Sequence, residues 1–433
     1  MSIDPQQRPM TRALLIGAYY SGKEKQTCEE NLRELERLCD TFGLQVAFQA
    51  LCAIKKMDAG TYLGVGKIDE LVAVMQEVKA DVLIFDDEIS PNQQRNLEKI
   101  FKKPVMDRTE LIIEVFAQRA QTREARLQVE LAKIKYQFPR LKRMWTHLSR
   151  QSGTGGGGGG AYLKGEGEKQ IEIDRRLLKC RIDQLKREIE HIRTQRETQR
   201  SHRLRKGTPT FAIVGYTNVG KSTLLKALTQ ADVLVEDKLF ATLDTTTRKY
   251  ILPNRQEVLL IDTVGFIRKI PHTLVSAFKS TLEEAVHTDI LLHLVDVSNP
   301  MAEIQAEATH VVLKELNALH QPLITVLNKI DQCTDPGLLH RLHLKYPKTV
   351  QISASHQTGF DQLLEIMTNE ISSLRKQFKL RIPQSQYAIV SELLREGHVI
   401  FSDYEDNDIL LHIEIPGRLE YKVKPFVDLS IFE

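Results

Sequence analysis

The stretch TPTFAIVGYTNVGKSTLLKAL, residues 208–228, reads as a strand, a glycine loop and a helix in that order. Within it Gly215, Tyr216, Thr217, Asn218, Val219, Gly220, Lys221 and Ser222 match the pattern GxxxxGK[ST]. Backbone N–H groups of such a loop, together with the N-terminus of the helix it opens, cradle phosphates. Lys221 is expected to reach β- and γ-oxygens, Ser222 to ligate magnesium, and Thr223 to line the same mouth. A strand before the loop and a helix after it make this a nucleotide-binding α/β domain.

A phosphate loop alone leaves ATP and GTP open. Downstream, EVLLIDTVGF (257–266) places Asp262 at the end of an apolar strand, followed by Thr263, Val264 and Gly265. The acid is placed to hold magnesium through water, and the Gly265 amide to sense a γ-phosphate and its loss. PLITVLNKID (322–331) brings Asn328, Lys329 and Asp331 to another strand end. A carboxylate such as Asp331 accepts two hydrogens from the N1 and N2 side of guanine, a pair that adenine lacks. VQISASHQTG (350–359) offers Ser353 and Ala354 to complete a base pocket. Between the first two motifs, DKLFATLDTTTRKYI (237–251) supplies Phe240, Ala241 and Thr242, with Thr242 expected to close over magnesium and the γ-phosphate. Thr245, Thr246 and Thr247 are its rivals. Lys221, Thr242 and Gly265 form the expected catalytic set, and Ser222, Thr242 and Asp262 the magnesium set. Phe266 stands where many GTPases carry a polar residue that orients water, so slow intrinsic hydrolysis is expected. Arg268 and His272 are the polar neighbours in sequence.

Working outward, the 433 residues are too many for one ordinary core. The expected fold class is α/β and multidomain. A small α/β domain (1–108) and an antiparallel helical hairpin (109–206, tip loop 151–167) precede the P-loop GTPase domain (207–373). A small C-terminal α/β domain (374–433) follows, with strands near ILLHIEIP and LEYKV. Alternating strands and helices from residue 10 to 107 predict a parallel sheet. There, GTYLGVGKIDE (60–70) and FDDEISPNQQRNLE (85–98) carry glycines and acids that read either as an anion or metal site or as a turn with helix caps. Residues 109–148 read as continuously helical, bent at Pro139. Leu127, Leu131, Ile134, Phe138, Leu141, Trp145 and Leu148 recur at heptad spacing, as do Leu178, Ile182, Leu185, Ile189 and Ile192.

The formal net charge of +3 says little about partners, but the hairpin is locally rich in lysine and arginine. It reads either as a nucleic-acid contact or as a solvated charged face. Nine glycines between 153 and 167 make its loop costly to order; the plain alternative is a linker. Five cysteines without metal or disulfide spacing, and no apolar run long enough to span a bilayer, point to a reducing, cytoplasmic setting.

Together, GTYLGVGKIDE, VMDRTELIIEVFAQRAQTREARLQVELA, GYTNVGKSTLLKAL, LFATLDTTTR, DTVGF and NKID resemble the HflX family of translation-associated GTPases over nearly the whole chain. The resemblance implies GTP and GDP as ligands, Mg2+ as cofactor, and the large ribosomal subunit with its rRNA as partner. It also implies splitting or rescue of stalled ribosomes under stress. The glycine loop would then face ribosomal RNA, with Arg150, Gly155, Gly157, Gly160, Lys164 and Arg175 as contacts; Arg119, Arg123 and Arg126 read equally as support for that surface or as hairpin packing. The family commonly shows a loop resembling GxRGPGETQLExDRR, whereas this chain reads AYLKGEGEKQIEIDRR, which makes splitting less secure than binding. The chain is expected to be monomeric. Rival readings are a ribosome-binding or dormancy factor without splitting, and an RNA-remodelling protein using ATP at the N-terminal domain.

Overall fold

Arg12–Tyr19 (β1) is an almost unbroken apolar run, and five successive residues of it are buried. That pattern belongs to a central strand of a parallel sheet covered on both faces. The computed structural model describes residues 11–141, 162–205, 208–229, 238–240, 245–269, 286–416 and 419–428. The chain divides into two compact units, residues 1–193 with 234–244 and 264–282, and residues 194–233 with 245–263 and 283–433.

In the first unit, β1 is followed by Gly22–Phe42 (α1), Gln45–Ala53 (β2), Val65–Glu77 (α2), Val82–Phe85 (β3), Pro91–Phe101 (α3) and Val105–Asp107 (β4). The strands pair in parallel in the order β2-β1-β3-β4. Helix α1 buries Leu32, Leu35, Leu38 and Cys39, one stripe at three- and four-residue spacing. The glycine segment around residue 60 and the start of α3 resolve as turn and cap chemistry, whereas Asp86 of the acid segment is buried in a pair with Arg108. The Asp58 carboxylate accepts from the Gly60 and Thr61 amides, and Ser90 with Gln93 forms a capping box on α3.

The helix expected to run unbroken from 109 is in fact two. Arg108–Arg119 (α4) packs on α1, the chain turns extended at Ala120, and Arg123–Gln137 (α5) begins afresh. The Thr122 side chain accepts from the Ala125 amide, satisfying one of the first-turn donors that an interruption leaves open. Pro139 sits in a short 3-10 turn, Phe138–Arg140. Arg140, one of the basic residues of the hairpin region, is buried. It donates to Ile89 O at 2.8 Å, Gln94 Oε1 at 3.1 Å and Asp107 Oδ2 at 3.3 Å, with its guanidinium 3.7 Å from the Tyr136 ring centre.

Tyr162–Arg205 (α6) returns as one long helix. Residues 162–167, expected as part of the tip loop, therefore lie in its first turns. Two glycines cost roughly 1 kcal/mol each in a helix, a penalty that good helix formers around them (Lys164, Glu166, Glu168, Lys169) and a long propagating segment offset. The rest of that loop, with Arg150, Gly155, Gly157 and Gly160, lies outside the described residues, as do Trp145 and Leu148. The hairpin seam is as the spacing predicts: Leu127, Leu131, Ile134 and Leu185 are buried together, with Leu178, Ile182, Ile189 and Ile192 against them. Arg181 forms a two-pronged pair with Glu130, and Arg123 lies 3.6 Å from Glu188. The register thus runs antiparallel.

The second unit contains a six-stranded sheet. Its strands are Thr210–Gly215 (β5), Thr246–Ile251 (β6), Glu257–Asp262 (β7), Ile290–Asp296 (β8), Leu323–Asn328 (β9) and Thr349–Gln351 (β10). They are ordered β10-β9-β8-β5-β7-β6, all parallel except β6. Lys221–Thr229 (α7), Ala302–Glu315 (α8) and Pro336–Lys345 (α9) lie between these strands, and Phe360–Leu374 (α10) follows β10.

The C-terminal part is an antiparallel sheet of Arg375–Pro383 (β11), His398–Glu405 (β12) and Asp408–Pro416 (β13), ordered β11-β13-β12, with Tyr387–Glu396 (α11). LEYKV is not the expected strand. Glu420–Val423 (α12) is helical, because Leu419 and Val423, four apart, both enter the core beside Ile413 and Ile415. Cys28, Cys39 and Cys52 are buried, Cys333 is half-buried and Cys180 is exposed. Among the described residues no helix is long and apolar enough to cross a membrane.

Candidate nucleotide site

Strand β5 lies between β7 and β8, and its residues from Phe211 to Gly215 are buried. Its carboxyl end releases the loop 216–220 into the N-terminus of α7. This is where an open α/β sheet places a phosphate. Gly220 adopts φ +93°, and a Cβ there would sit 2.5 Å from Asn328 Nδ2, so glycine is required on two counts. Asn218 is also left-handed, at φ +62°.

Lys221 is 7% exposed, and its ammonium donates to Tyr216 O at 2.8 Å and Gly215 O at 3.4 Å. Burial pulls its pKa down to about 8, against the upward pull of Asp262. Ser222 Oγ donates to Asp262 Oδ2 at 2.6 Å, joining the start of α7 to the end of β7. Asp262 is fully buried. A hydroxyl and a carboxylate meeting beside a phosphate loop are hard oxygen donors suited to Mg2+. Tyr216, Thr217 and Val219 are buried, and among the described residues Thr217 Oγ1 has no hydrogen-bond partner. Thr223 is half-buried on α7. The Thr263 hydroxyl donates to Ile213 O at 2.7 Å, so its side chain braces β5 to the chain leaving β7.

The end of β9 locks onto the phosphate loop. Asn328 Nδ2 donates to Val219 O at 2.7 Å, and Lys329 Nζ donates to Asn218 O at 2.9 Å. Asn328 Oδ1 in turn accepts from the Ala354 amide at 3.0 Å, and Ser353 and Ala354 are buried beside it. Asp331 follows in a short 3-10 turn after left-handed Lys329. Its carboxyl is held below the usual range, first by the Ser353 hydroxyl and then, more weakly, by neighbours that include His356. His356 Nδ1 lies 3.6 Å from Asp331 Oδ2.

Asp296, which ends β8, escaped the sequence reading; it accepts from Lys329 Nζ at 2.7 Å and from Ser298. An apolar strand closing in a lone acid, ILLHLVD, was the signal that could have found it. Phe240, Val264 and Gly265 belong to the other compact unit, where Phe240 is buried at φ +55°. Ala241 and Thr242 lie outside the described residues. Arg175 is exposed on α6, its guanidinium 5.9 Å from the Phe138 ring centre, and Lys164 lies in the first turns of that helix.

This sheet order, phosphate loop and interlocked NKxD strand end define a P-loop protein of the GTPase class. Three family models match in succession: the N-terminal region of GTP-binding GTPases over residues 29–117, their middle region over 119–203, and a 50S ribosome-binding GTPase over 210–329. The GTPase HflX of Chlamydia pneumoniae is 46% identical, covering 96% of this chain and 88% of its own length. That of Akkermansia muciniphila is 43% identical, covering 96% and 97%. The crystal structure of SsGBP in complex with GDP matches at 25% identity, 83% and 98% coverage and a TM-score of 0.48. The chain belongs to the HflX family of GTPases.

Proposed function

We propose that this chain binds guanine nucleotide through residues 215–223, 240–242 and 262–265 with Asn328, Lys329, Asp331, Ser353 and Ala354, and hydrolyses GTP while engaged with the large ribosomal subunit. The observation that carries the nucleotide reading is the double tie from Asn328 and Lys329 to the Val219 and Asn218 carbonyls. It sets a base-reading segment and a phosphate-reading loop at fixed separation. Asp331, kept ionised by Ser353, is the group that selects guanine. Lys221 supplies charge at the phosphates, and burial of its stem in the domain holds that charge in place.

Ser222 and Asp262, with Thr242, would hold Mg2+, which neutralises developing charge on the phosphate oxygens when bound. Phe266 is 2% exposed and carries no group able to orient water, so intrinsic turnover is expected to be slow and a partner to accelerate it. The match of residues 210–329 to a 50S ribosome-binding family supports the large subunit as that partner. In this reading the GTP form grips the ribosome and splits it, and hydrolysis releases the factor.

Turnover by the purified chain, alone and with 30S, 50S and 70S particles, tests this when combined with sedimentation. Stimulation by 50S with loss of the 70S peak is the expected result. Stimulation with 70S left intact would reduce the role to binding. Indifference to every particle would remove the ribosome from the proposal.

A further inference from the structure

The two segments that flank the phosphate chemistry in sequence, 238–240 and 264–269, are both seated on the N-terminal α/β domain. Lys269 Nζ donates to Asp86 and, at 2.5 Å, to Asp87 Oδ1, the two residues that follow β3. Arg268 Nη1 donates to Asn31 Oδ1 on α1 at 3.0 Å. The Leu239 amide donates to Thr41 Oγ1, also on α1, at 3.3 Å, and the Phe240 ring meets Phe116 of α4 edge-on at 4.4 Å. One helix, α1, thus touches both segments.

The seat is a built one. Asp86 and Arg108 are each 2% exposed and paired at 2.8 Å, and the Tyr62 hydroxyl donates to Asp87. In the order β2-β1-β3-β4 the topology reverses between β1 and β3, the place where open α/β sheets hold ligands. Here that place is taken by the chain's own ammonium. Burial alone would lower the Lys269 pKa, yet Asp86 and Asp87 outweigh it and the net direction is upward.

We infer that Asp86 and Asp87 are positioning residues for the GTPase cycle, acting through Lys269 to restrain the segment that follows Asp262. Asn31, Thr41 and Phe116 extend the same restraint to both segments. A segment held this way must leave its carboxylates before it can rearrange, so the N-terminal domain slows nucleotide release. The inference rests on the GTPase reading of the site.

The test uses the full chain and the release of a fluorescent GDP analogue, with kcat, KM and melting temperature measured in parallel. Asp86 is left alone because it also serves buried Arg108. Lys269→Gln and Asp87→Asn are each expected to speed release by about tenfold, within the usual range for coupled sites, at nearly unchanged melting temperature. The double variant should add little to either, and the charge exchange Lys269→Asp with Asp87→Lys should return release to within about twofold of the parent. Should the exchanged chain melt early, Arg268→Gln and Asn31→Ala provide the second pair, expected to act in the same direction and non-additively. Unchanged release in well-folded single variants, or additive effects without rescue, overturns the inference. A parent chain that fails to bind GDP sinks the nucleotide reading itself, a result that silent variants in a GDP-binding chain cannot mimic.

Discussion

At the residue scale, the phosphate loop is a set of fixed demands. Gly220→Ala would force φ +93° on an L-residue and drive a methyl into Asn328 Nδ2, so loss of GTP binding with little loss of fold is expected, read by equilibrium titration. Asp331→Asn replaces the acceptor pair for guanine N1 and N2 with one donor and one acceptor. Preference should move from guanosine towards xanthosine nucleotides, by about 1–3 kcal/mol of discrimination in competition binding; an unchanged preference for GTP would remove the assigned role. Arg108→Met strands Asp86 and Glu34 without their shared guanidinium, and a loss of about 3–5 kcal/mol in denaturant unfolding is expected. The demands of the phosphate loop are what a linear reading captures well, because Gly215 to Ser222 is a continuous string. Asp296 and Arg140 were not legible in the same way. What each does depends on partners, Lys329 for one and Asp107 with Ile89 for the other, that only the fold brings near.

At the scale of elements, β8 carries an anomaly. His293 is fully buried, and among the described residues neither ring nitrogen has a hydrogen-bond partner; His310 and Tyr346 meet it edge-on at 5.0 and 6.0 Å. Burial, reinforced by His310, lowers its pKa from 6.5 to about 3. The unfolded chain therefore binds the proton that the folded one refuses between those values. Stability is full above about pH 6.5 and falls as pH drops through the window, by up to roughly 1.4 kcal/mol per unit. His293→Leu should flatten that fall and add about 1 kcal/mol at neutral pH, since an apolar side chain leaves no polar atom unsatisfied; urea unfolding at pH 7 and pH 5 checks both. The heptads of α5 and α6 were readable because side-chain periodicity reports a helix face directly. The break at Ala120–Thr122 was not, since Ala120 and Gln121 suit a helix interior and only the Thr122 cap marks the new start.

At the scale of the whole molecule, the family and the order of its parts were legible, because each motif sits at a strand end and strand ends recur in sequence. The seating of Lys269 on Asp86 and Asp87 was not: the partners are separated by 183 and 182 residues, and no local pattern spans that distance. The basic hairpin is also less basic than a count of its residues implies. Arg181 is committed to Glu130, and Arg176 to Glu172. Salt titration of ribosome association should therefore show a slope well short of that count. Arg175→Ala is expected to lower the slope by about one, as for a single phosphate contact. Arg181→Ala should leave the slope nearly unchanged and appear as a small drop in hairpin stability. The reverse assignment would place the contact surface on the α5 side.

The cysteines have a practical consequence. Burial raises the thiols of Cys28 and Cys52 to about 11 and that of Cys39 to about 12, so at neutral pH all three are protonated and enclosed. Cys180 stands exposed on α6, on the returning arm of the hairpin. A maleimide dye added to the unmodified chain should react there first, with half-buried Cys333 trailing. The molecule carries its own attachment point for a fluorophore, placed where its anisotropy would report docking of that arm without any engineered residue.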